Sequence, residues 1–522
     1  MTLATIDYVI FLAYCLLIIG VGLWVSRTKN GTEKSAQEYF LADSALPWWA
    51  VGGSLIASNI SAEQFIGMSG SGYVTGLAIA SYEWLSAIML IIVGKYFLPV
   101  FLERKIYTMP QFLERRFGSE VRTSLAVFWL LVYVFVNLTS VLYLGALSIQ
   151  TLMGVKLVYG IIGLALFAAL YTIYGGLTAV AWTDVIQVIF LVGGGLMTTF
   201  LALAALSGGG GVWAGFTQLM EQAPQKFDMI LHPSNPSFKD LPGIRVLFGG
   251  IWVAGMYYWG CNQYITQRAL AAKSLAQAQK GVLFAAYLKL LMPLIVVIPG
   301  IAAFALDAQI GKPDEAYPWL LHRFVPTGFK GIAFAALIAA IVSSLSSMTN
   351  STATIFTIDI YRNLIHKNAD EQKLVRVGRI ISAVALLIAV CIAPFLSTLD
   401  QAFQFIQEFT GFVSPGIFTI FMFGLFYPPT TSRAVMWAAI LTIPLSLILK
   451  VASPELPFLD RMGMVFLILS AVVFLISWLQ PEPNTPDAGA GNKKVSFATD
   501  PYFNAGCIGV FAILAVLYTV FW

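Results

Sequence analysis

Apolar residues fall in blocks long enough to cross a bilayer, and the blocks recur along the whole chain. A helix needs roughly 20 residues to span about 30 Å of hydrocarbon. Suitable runs lie near 6–26, 46–74, 77–101, 123–151, 157–174, 180–206, 243–267, 281–306, 331–360, 377–397, 400–426, 435–451, 462–479 and 503–522. The pattern predicts an all-α polytopic membrane protein with fourteen transmembrane helices. Of 522 residues 58% are hydrophobic and only 11% charged, and the mean hydropathy is +0.81, which excludes a soluble globular domain and a disordered chain alike. A formal charge of +4 is too small and too dispersed to indicate a nucleic-acid partner. Cys15, Cys261, Cys391 and Cys507 lie in or beside apolar runs without metal-ligand spacing and read as small packing residues. The first run follows Asp7 rather than a basic segment and has no small-residue cleavage site, so it reads as a retained helix. The longer polar connections, 207–242 and 480–502, read as loops.

Cytoplasmic connections carry the excess of Lys and Arg. With the N-terminus outside, the inward-facing connections hold about twice as many basic residues as the outward-facing ones, Arg268 being counted among them. Both termini are therefore expected to be extracellular or periplasmic.

Two of the apolar runs are interrupted. GGSLIASNISAEQFIG (52–67) sets Ser58, Asn59, Ser61, Glu63 and Gln64 in the middle of the second run, and FGGIWVAGMYYWGCNQY (248–264) breaks the seventh with four glycines followed by Asn262 and Gln263. A broken helix leaves backbone groups without partners, and in lipid that survives only where the break lines a protein-enclosed cavity or binds something. The breaks are five helices apart, an odd offset that implies two five-helix units of opposite orientation, the arrangement that marks a transporter's binding site. Glycine-rich packing alone is the competing reading.

In AALIAAIVSSLSSMTNSTATIF (335–356), Ala340, Ser343 and Ser344 share a helix face. Hydroxyls together with carbonyls freed by a broken neighbour form an all-oxygen set without clustered carboxylates, which suits a monovalent cation, sodium above all. The same hydroxyls can instead bond back to carbonyls one turn earlier. Glu83 and Lys289 sit inside spans, where an ion is expensive and needs a partner, and each is expected to be the other's. With Gln64, Ser86 and Gln407 they form a donor and acceptor array suited to a polyol, and Tyr82, Tyr258 and Phe403 offer faces for a sugar's C–H surface. A purely structural ion pair is the alternative. Asp184, near the start of the sixth span, reads either as a site residue or as a helix cap. GMSGSGYVTG (67–76) lacks the strand, helix and lysine of a phosphate loop, and the three isolated histidines supply no catalytic dyad or metal cluster. An intramembrane enzyme is thus disfavoured. A channel or sensor lacks repeated pore residues and a signalling domain.

NISAEQFIGMSGSGY, IASYEWLSA, YGGLTAVAWTDVIQ, YYWGCNQYITQR and IVSSLSSMTNSTATIF resemble the sodium/solute symporter family, of the sodium/glucose cotransporter type, and the resemblance runs almost end to end. It implies a five-plus-five inverted-repeat core with broken helices at the midplane: residues 1–45 for the first helix and loop, 46–242 and 243–426 for the two repeats, and 427–522 for three further helices. It implies sodium on the carbonyls of Ala57, Ile60 and Ala340 and the hydroxyls of Ser343 and Ser344, with Asp184 on the ion's exit route. The sugar would meet Gln64, Glu83, Ser86, Lys289 and Gln407. Met68, Tyr82 and Phe403 would form the outer gate, and Tyr258, steadied by Asn59, the inner one. The family reading is a sodium-coupled hexose symporter in a bacterial inner membrane, a monomer or weak homodimer among lipid, with another small solute as the alternative cargo. One position departs: a sugar-carrying relative within the family has an asparagine ligand where this chain has Gly255, leaving only backbone and space.

Overall fold

A straight helix of 50 residues would be about 75 Å long, more than twice the thickness of a bilayer's hydrocarbon core. Residues Leu157–Leu206 form a helix of that length, and it turns at Gly176, whose φ of 64° and ψ of −155° are not helical. Glycine is required there twice over, because a Cβ would also lie 2.3 Å from the carbonyl oxygen of Tyr39. The turn separates the two apolar runs predicted at 157–174 and 180–206.

The computed structural model describes residues 4–27, 35–61, 63–398, 402–481 and 495–522, without the side chains of 397–405. Among the described residues every extended element is a helix, and the β-type pairing is a single bridge between Leu46 and Ala272. Among the described residues ten helices are long and apolar enough to cross a membrane, so this is a multi-pass membrane protein. Outer helices such as Thr5–Val25 and Pro501–Val520 are only 17% buried and turn Leu12, Leu16, Ile508 and Val516 outward, the surface expected against lipid chains. The helix Phe329–Thr354 is the opposite case. Every residue from Ala333 to Thr354 is buried, as a central helix that is apolar or hydroxyl-bearing all round must be.

The expected breaks are present. The helix Trp48–Asn59 ends where Ile60 turns extended (φ −80°, ψ 108°), and the chain resumes in a wide-turn segment, Glu63–Met68, continued by Ser69–Val74. Side chains satisfy the freed donors: Gln64 Oε1 accepts from both the amide and the hydroxyl of Ser61 at 3.0 Å, and Ser61 Oγ accepts from the Glu63 amide at 3.1 Å. The second break falls at Asn262 (φ −92°, ψ 123°), between Tyr257–Cys261 and Gln263–Leu270. The Tyr133 hydroxyl donates to Asn262 and accepts from the Gln263 amide at 3.0 Å.

The two broken segments run antiparallel. Leu46, just before the first, accepts from the Lys273 amide and donates to the Ala271 carbonyl, both at 3.0 Å, just after the end of the second. Asn59 and Tyr258, close to the two breaks, are joined by a 3.0 Å hydrogen bond.

Part of the 207–242 connection is ordered rather than a plain loop. It contains the helix Val212–Gln222, in which Leu219 is buried and Gly215 lies so close to Leu203 that a Cβ would meet its carbonyl oxygen at 1.9 Å. Its apolar stripe folds onto the end of the Leu157–Leu206 helix instead of facing water. Residues 482–494 of the second polar connection lie outside the described ones.

Candidate functional site

Adjacent residues on two helices bring the buried charges together. Trp84 Nε1 donates to the Leu290 carbonyl at 3.2 Å, which fixes the helix Ser81–Ile92 against Leu275–Ala305. In this register Lys289 Nζ reaches Glu83 Oε2 at 2.5 Å, with side-chain exposures of 1% and 3%. The ammonium also stands 5.2 Å from the centre of the Trp259 ring, a favourable cation–π distance. The expected pair exists, and it faces a cavity.

That cavity holds about 640 Å³ of space, counting its open mouth. Its walls include all five residues of the expected polyol array, Gln64, Glu83, Ser86, Lys289 and Gln407, together with Asn59, Met68, Tyr82 and Tyr258. Gln64 spends its carbonyl on Ser61, which leaves its amide N–H groups for the cavity. Ser86 Oγ donates to the Tyr82 carbonyl at 2.6 Å and keeps acceptor capacity. The side chain of Phe403 lies outside the described ones, although its backbone belongs to the helix Ala402–Gly411. Met89, Ile251, Ala254, Trp259 and Thr410 also line the cavity and were not singled out from the sequence, and Glu63, noted there only as part of the break, joins them. Glu63 had a legible signal, since a carboxylate inside a break needs a partner, and it finds Ser140 Oγ at 3.1 Å.

Gly255 lines the same cavity, but the space beside it is filled. An ideal Cβ there would stand 2.1 Å from Met89 Sδ and 2.8 Å from Met89 Cε. The expectation of glycine opening a gap is therefore corrected: a thioether on the facing helix occupies the volume.

Beneath the cavity lies a second polar cluster. Ala57, Ile60, Ala340, Ser343 and Ser344 are all fully buried. Ser344 Oγ donates to the Ser58 carbonyl at 3.1 Å and, more weakly, approaches the Ile60 carbonyl at 3.5 Å, so the serine helix meets the carbonyls that the first break frees. Ser343 donates instead to Asp184 Oδ1 at 2.6 Å, which still leaves its oxygen lone pairs as acceptors. Hydroxyls, carbonyls and one nearby carboxylate, all oxygen, remain the donor set anticipated for a hard monovalent cation.

Asp184 is not a helix cap. It sits within the Leu157–Leu206 helix, beyond the Gly176 turn, fully buried, and its Oδ2 accepts from Ser54 at 2.5 Å and from Ser58 at 3.3 Å. Arg268 reaches the same carboxylate at 3.7 Å, donates to Ser54 at 3.2 Å, and also holds Ser347 and the Tyr264 carbonyl. Counting Arg268 among cytoplasmic loop charges was wrong: it is 0% exposed. Hydropathy places a basic residue at a helix end on the surface, and only a partner carboxylate from a helix far away in sequence draws it inside.

The chain matches the sodium:solute symporter family over residues 39–442. It is 55% identical to the sodium/glucose cotransporter of Vibrio parahaemolyticus, across 100% of this chain and 99% of that protein. It is also 34% identical to the rabbit (Oryctolagus cuniculus) sodium/myo-inositol cotransporter 2, across 85% of this chain and 69% of that one. Among solved structures, the substrate-bound outward-open state of a Na+-coupled sialic acid symporter superposes with a TM-score of 0.82 at 23% identity, covering 92% of this chain and 100% of its own. Mhp1, a nucleobase-cation-symport-1 family transporter in a closed conformation, superposes with a TM-score of 0.56 at 14% identity, covering 88% and 98%. The second pair of likenesses concerns the fold; the first pair, with the family match, establishes descent, and a chain that carries two facing helix breaks over a buried ion pair belongs to the sodium:solute symporter family, whose members are sodium-coupled transporters and not enzymes.

Proposed function

We propose that this protein carries a hexose, galactose or glucose, into a bacterial cell together with sodium. The observation that carries the reading is the convergence of Gln64, Glu83, Ser86, Lys289 and Gln407 on one cavity beside the first helix break. A polyol offers hydroxyls that both donate and accept, which is what a buried carboxylate and ammonium in hydrogen-bond contact can share without either being left unpaired. A carboxylate cargo would ask for a cation not already neutralised, and Lys289 is held by Glu83. That 55% of residues coincide with a protein named as a sodium/glucose cotransporter favours the same cargo.

Sodium is the coupled substrate, and its proposed ligands are the carbonyls of Ala57, Ile60 and Ala340 and the hydroxyls of Ser343 and Ser344. Binding there holds the first broken segment against the serine helix and so favours the sugar-competent state, coupling being a difference in affinity between states. Asp184 is the next station on the ion's way out. One sodium per sugar is expected, because Ala340 adds no side-chain oxygen for another ion. Met68, Tyr82 and Phe403 close the cavity outward, and Tyr258, held by Asn59, closes it inward.

The proposed architecture is fourteen crossings, with residues 46–242 and 243–426 as inverted repeats, residues 1–45 before them and 427–522 after. The antiparallel course of the two broken segments, tied at Leu46, Ala271 and Lys273, supports it. Both termini lie outside, and the protein acts as a monomer or weak dimer. Sodium-driven uptake of labelled galactose and glucose into proteoliposomes tests the whole reading. Uphill accumulation that requires sodium supports it, whereas downhill flux alone indicates a channel and accumulation of a different solute indicates another cargo.

A further inference from the structure

GMSGSGYVTG (67–76), which lacks the context of a phosphate loop, forms most of the outer half of the first broken segment, and its glycines give that half a smooth face. A Cβ at Gly72 would lie 2.7 Å from the Val297 carbonyl oxygen, and one at Gly300 would lie 2.0 Å from that of Ser69. The segment therefore meets the helix Leu275–Ala305, which carries Lys289, backbone against backbone. Where backbones touch, no side-chain ridge locks into a groove, so the register along this seam is set at the ends of the segment.

The inner end is the break itself, held by the Ser61–Gln64 bonds. The outer end is clasped by Lys226, from the 207–242 connection. Its Nζ donates to the Tyr73 carbonyl at 3.0 Å and to the Val74 carbonyl at 2.5 Å, the terminal acceptors of a helix, where a cation is favoured. The same ammonium stands 4.3 Å from the centre of the Phe304 ring, at the end of the helix across the seam. The Lys226 backbone completes the clasp: Gly76, at a φ of 92°, lies so near that a Cβ would meet the Lys226 carbonyl oxygen at 2.3 Å.

The clasp is itself anchored. The Lys226 and Phe227 amides donate to the carbonyls of Ala223 and Pro224 at 2.9 and 3.0 Å, which closes the turn that presents the lysine. A little further on, the Met229 amide donates to the Phe521 carbonyl at 2.8 Å, and the Phe227 and Phe521 rings lie 6.0 Å apart. Phe521 follows the helix Pro501–Val520, whose Tyr518 hydroxyl donates to Ser81 at 3.2 Å, next to the cavity-lining Tyr82 and Glu83. One connection thus ties the outer end of the first broken segment to the helix that carries another wall of the cavity.

We propose that Lys226 is a positioning residue for sugar binding, which fixes the outer end of the first broken segment and so sets where Gln64 and Met68 stand relative to Lys289. The proposal rests on the sodium-driven hexose uptake put forward above. Lys226 is not among the cavity-lining residues, whereas Gln64 and Met68 are, so it acts through the segment. A hydrogen-bonded helical segment carries an axial shift from one end to the other, and binding groups need to be held within about 0.5 Å of their productive place.

The test is sodium-driven uptake of labelled galactose into proteoliposomes by wild type, Lys226→Met, Lys226→Arg and Phe304→Leu, each first checked for a monodisperse peak in detergent. Hydrogen–deuterium exchange of the 63–76 peptide accompanies it. Lys226→Met is expected to raise the galactose concentration for half-maximal uptake about tenfold, the lower end for hydrogen bonds to a charged group because the donor is only half-buried. Its maximal rate should stay within about twofold of wild type, and its 63–76 peptide should exchange faster. Lys226→Arg can still donate to both carbonyls and should return the half-maximal concentration to within about threefold of wild type. Phe304→Leu removes only the ring contact and should raise it about threefold; this variant carries the test if Lys226→Met does not fold. An unchanged half-maximal concentration in both Lys226→Met and Phe304→Leu overturns the proposal, as does a fall in maximal rate alone, which a merely structural lysine would give. Absence of sodium-driven uptake by wild type overturns the hexose reading instead, and equal exchange of the 63–76 peptide in wild type and Lys226→Met overturns the clasp whatever the uptake shows.

Discussion

Breaking the Glu83–Lys289 pair separates a sugar-binding role from a structural one. At 2.5 Å, with exposures of 1% and 3%, the two charges are in charge-assisted contact and largely out of water. Removing one partner from such a pair leaves an uncompensated charge and costs about 3–5 kcal/mol, or roughly two to nearly four orders of magnitude in whatever equilibrium bears it. Glu83→Gln and Lys289→Met are each expected to abolish sodium-driven galactose uptake and to lower thermal stability in detergent. The double variant Glu83→Met/Lys289→Met leaves neither an orphan charge nor an unpaired amide. Replacing a buried ion pair by well-packed apolar residues of similar volume is often close to neutral for stability. Its melting temperature should therefore return most of the way to wild type, while uptake stays absent because the donors and acceptors for sugar hydroxyls are gone. Melting curves with and without galactose, beside uptake, read both effects. If the double variant regains transport along with stability, the pair is only structural and the reasoning fails. Single variants that still take up galactose would refute it more directly.

Ser344→Ala removes the hydroxyl that meets the Ser58 and Ile60 carbonyls, so the sodium concentration for half-maximal uptake should rise at least tenfold; unchanged sodium dependence would move the ion elsewhere. Tyr258→Phe deletes the acceptor of the Asn59 amide and should loosen inward closure, read as faster sugar efflux at equal sodium on both sides; equal efflux would deny the gate. Asp184→Asn leaves Arg268 without its carboxylate in a fully buried cluster, and should lower stability by several degrees in detergent and slow sodium release; a conservative Asp184→Glu is expected to recover part of both. Gly176→Ala places a Cβ 2.3 Å from the Tyr39 carbonyl at a φ of 64° and should largely abolish folded protein, measured as the yield of a monodisperse peak.

Length and hydropathy alone were enough to make this chain a multi-pass helical membrane protein, because a bilayer accepts only segments that satisfy their own backbone. The two breaks were legible for the same reason. Polar residues and glycines at the middle of an apolar run violate the rule that governs the rest of the chain, and such violations persist only where something is enclosed. Glu83 and Lys289 declared each other as partners, since neither ion is tolerable in a span alone.

Other features depended on contacts between separate segments of the chain. The fate of Arg268 was set by Asp184, 84 positions earlier in the chain and 3.7 Å away in space; by hydropathy it looked like a loop charge. Asp184 itself looked like a possible cap until the Gly176 turn, fixed by contact with Tyr39, placed it inside a helix against Ser54, Ser58 and Ser343. The helix Val212–Gln222 read as loop because its packing surface, the end of a neighbouring helix, is not encoded in its own hydropathy. Gly255 is the sharpest instance. A glycine in a sequence signals room, but whether the room is empty depends on what the facing helix sends into it, and here Met89 does. Periodicity and transfer free energy are properties of a segment, and they fixed what crosses the membrane and where it breaks. Steric complementarity and charge pairing are properties of two segments at once, and only their packing decided which side chains share a cavity.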